Sequence, residues 1–230
     1  MSFDIINKSL QNSPLYQALV KASQSNGFLY TIKSSPAPFG KTNVRVMARI
    51  TANFNRDWNF IVPCQGLLSV AYIKVKLSGV VTAPLTFVQG GGIYLINDHV
   101  DFVTSSMVLE RLYNNGIMAR INGLPAEQRD GYLAAVKSGV SVDVGTDLSV
   151  SPLGEIWIPL FFSAFERPEN FLDTRFVENV EIKFKATGSF ADIISSGTVS
   201  NYGITSAELC CCYINPINYA YDNYNPNNSR

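Results

Sequence analysis

The sequence has a single histidine, His99, among 230 residues. A Ser-His-Asp or Cys-His arrangement could draw on it once, and a metal site built from several histidines is excluded. Charge is also scarce. Only 16 % of residues are charged, against roughly 25 % in an ordinary soluble domain. Lys+Arg and Asp+Glu stand at 18 each, so there is no basic surplus to displace counterions from a nucleic acid. The balance argues against direct nucleic-acid binding, and the high apolar content argues against disorder. There are four cysteines, Cys64 and the run Cys210, Cys211 and Cys212, with no CxxC spacing of the kind zinc sites use. Along a strand Cys210 and Cys212 share one face and Cys211 takes the other, as small buried hydrophobes would. The sequence leaves open a disulfide from this run to Cys64. No stretch reaches 18 apolar residues, so no membrane span is expected. Residues 1–10 carry Asp4 and Lys8 and lack the unbroken apolar core of a signal peptide.

What the sequence does have is apolar content, 47 %, enough for a sizeable core without staples. Most of it lies in strand patterns. Val44, Val46, Ala48 and Ile50 alternate with Arg45, Met47 and Arg49. Trp58–Val62 is a short run in which Trp58 has little apolar context and is expected exposed. Leu67–Leu77 is a longer strand interrupted by Lys74 and Lys76. Gly90-Gly91-Gly92 reads as a flexible connector into Ile93–Ile96, and Asn97-Asp98 turns the chain into Val100–Val103. Met107–Tyr113 fits a strand or a short helix. Val142, Val144 and Leu148 alternate with polar residues. Glu155–Phe165 is the most hydrophobic stretch and predicts a strand buried on both faces, Trp157 included. Phe176–Ala186 alternates cleanly, and Leu209–Ile214 is the last strand.

One internal helix is expected. Pro125-Ala126-Glu127-Gln128 opens it, Tyr132, Leu133 and Val136 line one face, and Gly139 ends it. A second helical pattern lies near the N-terminus. Ser13-Pro14 starts it, and Leu15, Ala18, Leu19 and Ala22 form the stripe. The loop Ser34–Gly40 follows. After Ile214 the chain is rich in Asn and Tyr, with Tyr219, Tyr221 and Tyr224. Eight or more strands with one inserted helix predict an all-β protein, a single jelly-roll β-sandwich over residues 41–216. An N-terminal helical arm (1–40) and an extended C-terminal tail (217–230) flank it.

Four segments, in order, resemble the first jelly roll of the major capsid proteins of large double-stranded DNA viruses. Ile61–Leu77 resembles that family's opening strands, with Gly66 near the place of the family's turn Asp. Gly92–Gly116 resembles its hairpin, ending in Glu110-Arg111-Leu112-Tyr113. Leu124–Tyr132 resembles the short helix that follows. Trp157-Ile158-Pro159-Leu160-Phe161-Phe162-Ser163, then Pro168–Phe184, resembles its segment of Ile-Pro-Leu, aromatic run, Pro and strand. The resemblance covers roughly Val44–Ile214. That family carries two jelly rolls in one chain, whereas this length has room for one. The resemblance implies a virion protein, a capsid subunit of major, minor or penton type, assembled inside the host cell. It would form a homo-oligomer, trimer or pentamer, and contact other capsid proteins. The arm and the Tyr/Asn tail would tie neighbours together.

No catalytic, cofactor-binding or metal-ligating residue is assigned, and no enzyme activity or cofactor is expected. His99 lies between Asp98 and Asp101 and fits a hydrogen-bonded hairpin histidine. Glu166 and Glu169 fit a solvated loop better than a glycosidase pair. Asp101, Asp143 and Asp147 lack the spacing of a calcium loop, and Gly90–Gly92 lacks the Gly-Lys-Ser/Thr of a phosphate loop. The alternative from another class is a carbohydrate- or receptor-binding jelly roll, which would expose aromatics on one sheet or in loops. A cupin-like enzyme needs several histidines inside the barrel, and one does not suffice.

Overall fold

In a computed structural model the chain is described at residues 44–50, 52–64, 67–105, 107–163, 172–174, 177 and 179–214. The expected N-terminal helix, the loop before Gly40, the Tyr/Asn tail and the Glu166/Glu169 pair lie outside these residues.

Among the described residues, ten strands form two antiparallel sheets. They are β1 (Val44–Ile50), β2 (Asp57–Ile61), β3 (Leu67–Phe87), β4 (Ile96–Thr104), β5 (Met107–Tyr113), β6 (Ser141–Val142), β7 (Glu155–Leu160), β8 (Leu172–Asp173), β9 (Val180–Ala186) and β10 (Ile194–Ile214). The first sheet runs β1-β10-β3, and the far side of the long β3 is paired in turn by β8, β7 and β6. The second runs β2-β9-β4-β5. The pairs nest: β1 with β10, β2 with β9, β3 with β7, β4 with β5. A chain folded double and then wrapped around a core gives this order, which is the jelly roll.

Alternation decides what faces inward. Ala71, Ile73, Val75 and Leu77 of β3 meet Ile156, Ile158 and Leu160 of β7 and Ala207, Leu209, Cys211 and Tyr213 of β10 on one side of the sandwich. Trp58 and Phe60 of β2, Val100 and Phe102 of β4 and Ile182 and Phe184 of β9 form the other. Each fully buried side chain of this size is worth about 1.5–3 kcal/mol. Trp58, expected exposed, is 1 % accessible. Its ring packs 5.1 Å from Phe184, and its Nε1–H donates to the carbonyl of Asn53 at 3.0 Å.

Several elements differ from the expected ones. β3 runs on to Phe87, and β10 begins at Ile194 rather than near Leu209. The Ser/Gly/Thr-rich segment 194–206 has no apolar alternation to mark it, and it is a strand because β3 supplies the ladder, through a series of bulges. Met107–Tyr113 is a strand, the outer one of the second sheet. The expected strand from Phe176 is described as one from Val180. Past Val142 the predicted alternation gives way to turns, and Val144 is exposed. The single inserted helix is two, α1 (Asn114–Asn122) and α2 (Ala126–Ala135). Ile117 and Ile121, one turn apart, bury α1 on the core. The triple glycine is packed, not loose. Gly91 has φ 40°, and a Cβ on Gly92 would fall 2.1 Å from Ile156 Cγ2, so the segment is a buried 3-10 turn where only glycine fits.

Candidate interaction surface

The two sheets share one core but present different outer faces. In the first sheet, register puts Val70, Tyr72, Lys74 and Lys76 of β3 outward beside Pro159, Trp157 and Glu155 of β7. Trp157, expected within the core, therefore faces away from it, while its neighbours Ile156 and Ile158 are buried. Period-two alternation inside an unbroken apolar run hid this face from sequence reading. The helix α2 closes the side of the face. Tyr132 meets Phe161 edge to face at 5.4 Å, and Tyr72 packs 5.0 Å from Trp157. Tyr72, Tyr132, Ala135, Trp157 and Pro159 thus line an almost wholly apolar cleft of about 360 Å³. Sequence reading missed Tyr72 and Tyr132 as cleft residues, because only the pairing of β3 with β7 and the return of α2 bring them together with Trp157.

The polar groups of this face hold the cleft's wall in place. Lys74 Nζ sits 4.8 Å above the Trp157 ring and 3.1 Å from Glu155 Oε2, and Trp157 Nε1–H donates to Glu155 Oε1 at 2.8 Å. Partial burial works against ionisation of Glu155, but the bonds from Lys74 and Trp157 outweigh it and hold the carboxyl below its ordinary range. Lys76 Nζ donates to the carbonyl of Ser151 at 2.6 Å.

The outer face of the second sheet is a charged ladder. Asp57 lies opposite Lys185 and Asn59 opposite Lys183, which in turn lies opposite Asp101. Arg111 donates to both oxygens of Asp101, at 2.7 and 2.9 Å. His99 belongs here, as the hairpin reading expected. Its Nδ1 is 2.8 Å from Asp98 Oδ2, its Nε2 is 3.6 Å from Asp101, and its ring packs 5.7 Å from Tyr113. Among the described residues no hydroxyl or thiol bonds to His99, so the cluster orders a surface and presents no nucleophile. On the outer strand β5, Met107, Val108 and Leu109 are exposed.

The remaining sequence candidates are scattered. Asp147 accepts from Ser149 N–H and Oγ–H, at 2.8 and 2.6 Å, and shapes a turn. Among the described residues, no three His, Cys, Asp or Glu side chains are placed to hold a metal, and no helix is long and apolar enough to cross a membrane. None of the four cysteines forms a disulfide. Cys211 faces the core, where burial pushes its thiol up to about 12. Cys64 Sγ–H donates to the carbonyl of Thr174 at 3.0 Å, and the Tyr213 hydroxyl donates to the carbonyl of Pro63.

No protein-family model matches the sequence, and no curated protein is significantly similar to it. Solved structures are similar in fold. The crystal structure of PBCV-1 VP54, as fitted into a cryo-EM reconstruction of the virophage Sputnik, matches with TM-score 0.56 and 11 % identity, over 80 % of this chain and 45 % of that one. The quasi-atomic model of the PBCV-1 virus capsid matches with TM-score 0.54 and 12 % identity, over 80 % and 44 %. The cryo-EM structure of the Sputnik virophage matches with TM-score 0.57 and 12 % identity, over 81 % and 50 %. This chain spans half the length of these three chains or less. In fold, it is similar to one jelly roll of the major capsid proteins of large double-stranded DNA viruses.

Proposed function

We propose that the chain is a structural virion protein, a jelly-roll capsid subunit that joins copies of itself and other capsid proteins in an icosahedral shell. The observation that carries this reading is the nested β1/β10, β2/β9, β3/β7, β4/β5 wrap, in a chain similar in fold to the PBCV-1 and Sputnik structures over four-fifths of its length. Binding, not chemistry, is the mechanism. A shell subunit needs a rigid sandwich, strand edges that are paired or covered, and low mutual repulsion. The sheets supply the first, and 16 % charge with no net excess supplies the last. The exposed apolar strand β5 is an edge suited to burial between copies. Residues 41–216 are assigned to the sandwich, 1–40 to an arm that reaches a neighbour, and 217–230 to a tail. The assembly is a closed ring of three or five copies, formed in the host cell as a major, minor or penton-type component.

Light scattering on the size-fractionated chain tests this. A trimer supports a capsomer, and a pentamer supports a vertex protein. A chain that stays monomeric at high concentration, alone and with other capsid proteins, counts against the shell. The aromatic cleft favours one alternative, a carbohydrate- or receptor-binding jelly roll. Sugar affinity of a monomer, lost on Trp157→Ala, would select it.

A further inference from the structure

The two ends of the second sheet carry matching residues at matching heights. Among the described residues, β2 and β5 end this sheet. On β5, Met107, Val108 and Leu109 are 61, 47 and 44 % accessible, and on β2 Ile61 is 65 % accessible. Register sets them level. Ile61 lies opposite Glu181 of β9, Glu181 opposite Val103 of β4, and Val103 opposite Val108. The next outward row runs Asn59, Lys183, Asp101, Arg111. Val108 and Arg111 are three residues apart, but the ladder shifts by one between them, leaving Leu109 as the extra residue of a bulge. The two rows are therefore one outward step apart on both edges, about 7 Å. Glu110, opposite the buried Phe102, accepts from the N–H and the Oγ–H of Ser163, both at 2.8 Å, which ties β5 to the chain leaving β7.

We propose that the β5 edge of one copy docks against the β2 edge of the next, with Met107 and Val108 on Ile61 and Arg111 facing Asn59 and Asp57. The proposal names the contact of the ring of copies and rests on that reading. Height, direction and charge point to this pairing. Rotation about an axis along the strands keeps every row at its own level, so it brings Val108 to Ile61 and Arg111 to Asn59 of the next copy. Three antiparallel steps separate β2 from β5, so β5 runs antiparallel to β2 and the contact continues the sheet's own alternation. Arg111 puts a cation on one edge and Asp57 an anion on the other, one outward step past Asn59. A diagonal neighbour at that distance is within reach of a long side chain. A twofold pairing of β5 with itself, at full overlap, would instead set Leu109 against Arg111 and leave Ile61 in water. The bulge at Leu109 makes β5 a poor template for an endless ladder. Side chains therefore make the joint, and a head-to-tail joint of this kind closes into a ring when the rotation closes.

Cross-linking between marked copies tests it. In a Cys64→Ser/Cys212→Ala background of the full chain, one preparation carries Val108→Cys and another Ile61→Cys. Mild oxidation with diamide should give a disulfide-linked dimer in the mixture and none in either preparation alone. The chain carrying both substitutions should give a ladder that stops at the number of copies in the ring. Val108→Lys and Ile61→Lys should each raise the concentration needed for assembly by about tenfold or more. Neither should move the unfolding midpoint, since both side chains are exposed. If copies assemble, alone or with other capsid proteins, and the mixture does not cross-link, they meet through other faces; the proposal falls and the shell reading stands. If Val108→Cys links to itself, β5 pairs about a twofold and the proposal is overturned. Assembly indifferent to both lysines has the same consequence. If light scattering finds only monomer, alone and with other capsid proteins, the proposal and the shell reading fail together.

Discussion

The outer faces of the two sheets differ in what their alternate residues can tolerate. On the second sheet, Asp57, Lys185, Lys183, Asp101 and Arg111 sit in a ladder of opposite charges, each with water on one side. On the first sheet the same alternation presents Tyr72, Trp157, Pro159 and Cys210, and its charged members are drawn into local bonds, Lys74 and Glu155 to Trp157 and to each other. Antiparallel sheets commonly leave one face solvated. Here one sheet does so, and the other has the composition of a face meant to be covered. The inner faces meet in one core, so the difference between the sheets lies in what packs outside them.

The largest effect separates that shared core from both outer faces. Phe60→Ala removes a side chain with no accessible surface, in contact with Trp58 and Phe184. It should cost about 3–5 kcal/mol in urea unfolding. A loss under about 1 kcal/mol would mean that β2 does not pack as described.

The next pair of substitutions sets one outer face against the other. Cys210→Asp places a carboxylate on the buried outer face of the first sheet, and Asn59→Asp places one on the exposed face of the second, opposite Lys183. The first should destabilise by several kcal/mol, because an ion taken out of water is costly without a partner. The second should stay within about 0.5 kcal/mol. Equal effects in matched denaturation curves would erase the distinction between the faces.

Sequence reading reached the elements of this molecule more readily than their faces. The alternations of β9 and of the first half of β3 were plain, and with the resemblance they led to the jelly roll. Trp58 was misplaced because a five-residue strand, flanked by Asp57 and Asn59, offers too few apolar positions to display its period; Phe60, two residues on, was the available signal. The helix α1 was missed because Asn114-Asn115-Gly116 reads as a turn, although Ile117 and Ile121 are spaced by one helical turn. The cleft was beyond reach from sequence. Tyr72, Tyr132 and Trp157 are far apart in the chain, and only the antiparallel register of β3 with β7 and the return of α2 join them. The second half of the fold's longest ladder, 194–206, has no pattern of its own and takes its form from β3.

The smallest effect belongs to the charged face and is read through pH. The two hydrogen bonds from Arg111 hold the Asp101 carboxyl below its ordinary value, against partial burial that pulls the other way, and the neighbouring His99 adds to the lowering. A carboxyl whose folded pKa is depressed contributes stability above its unfolded value of about 3.9, and loses that contribution as pH falls through the lowered folded one. Arg111→Met keeps much of the stem and removes the charge. It should therefore separate from the parent chain by a small, constant gap in unfolding midpoint through neutral and mildly acidic pH, closing only below about pH 4. Added salt should narrow the gap, because the pair lies on a solvated face. A gap that persists undiminished in strong acid and in salt would assign the effect to packing of the Arg111 stem. The second sheet's outer face would then be held as the first one is, by contact rather than by charge.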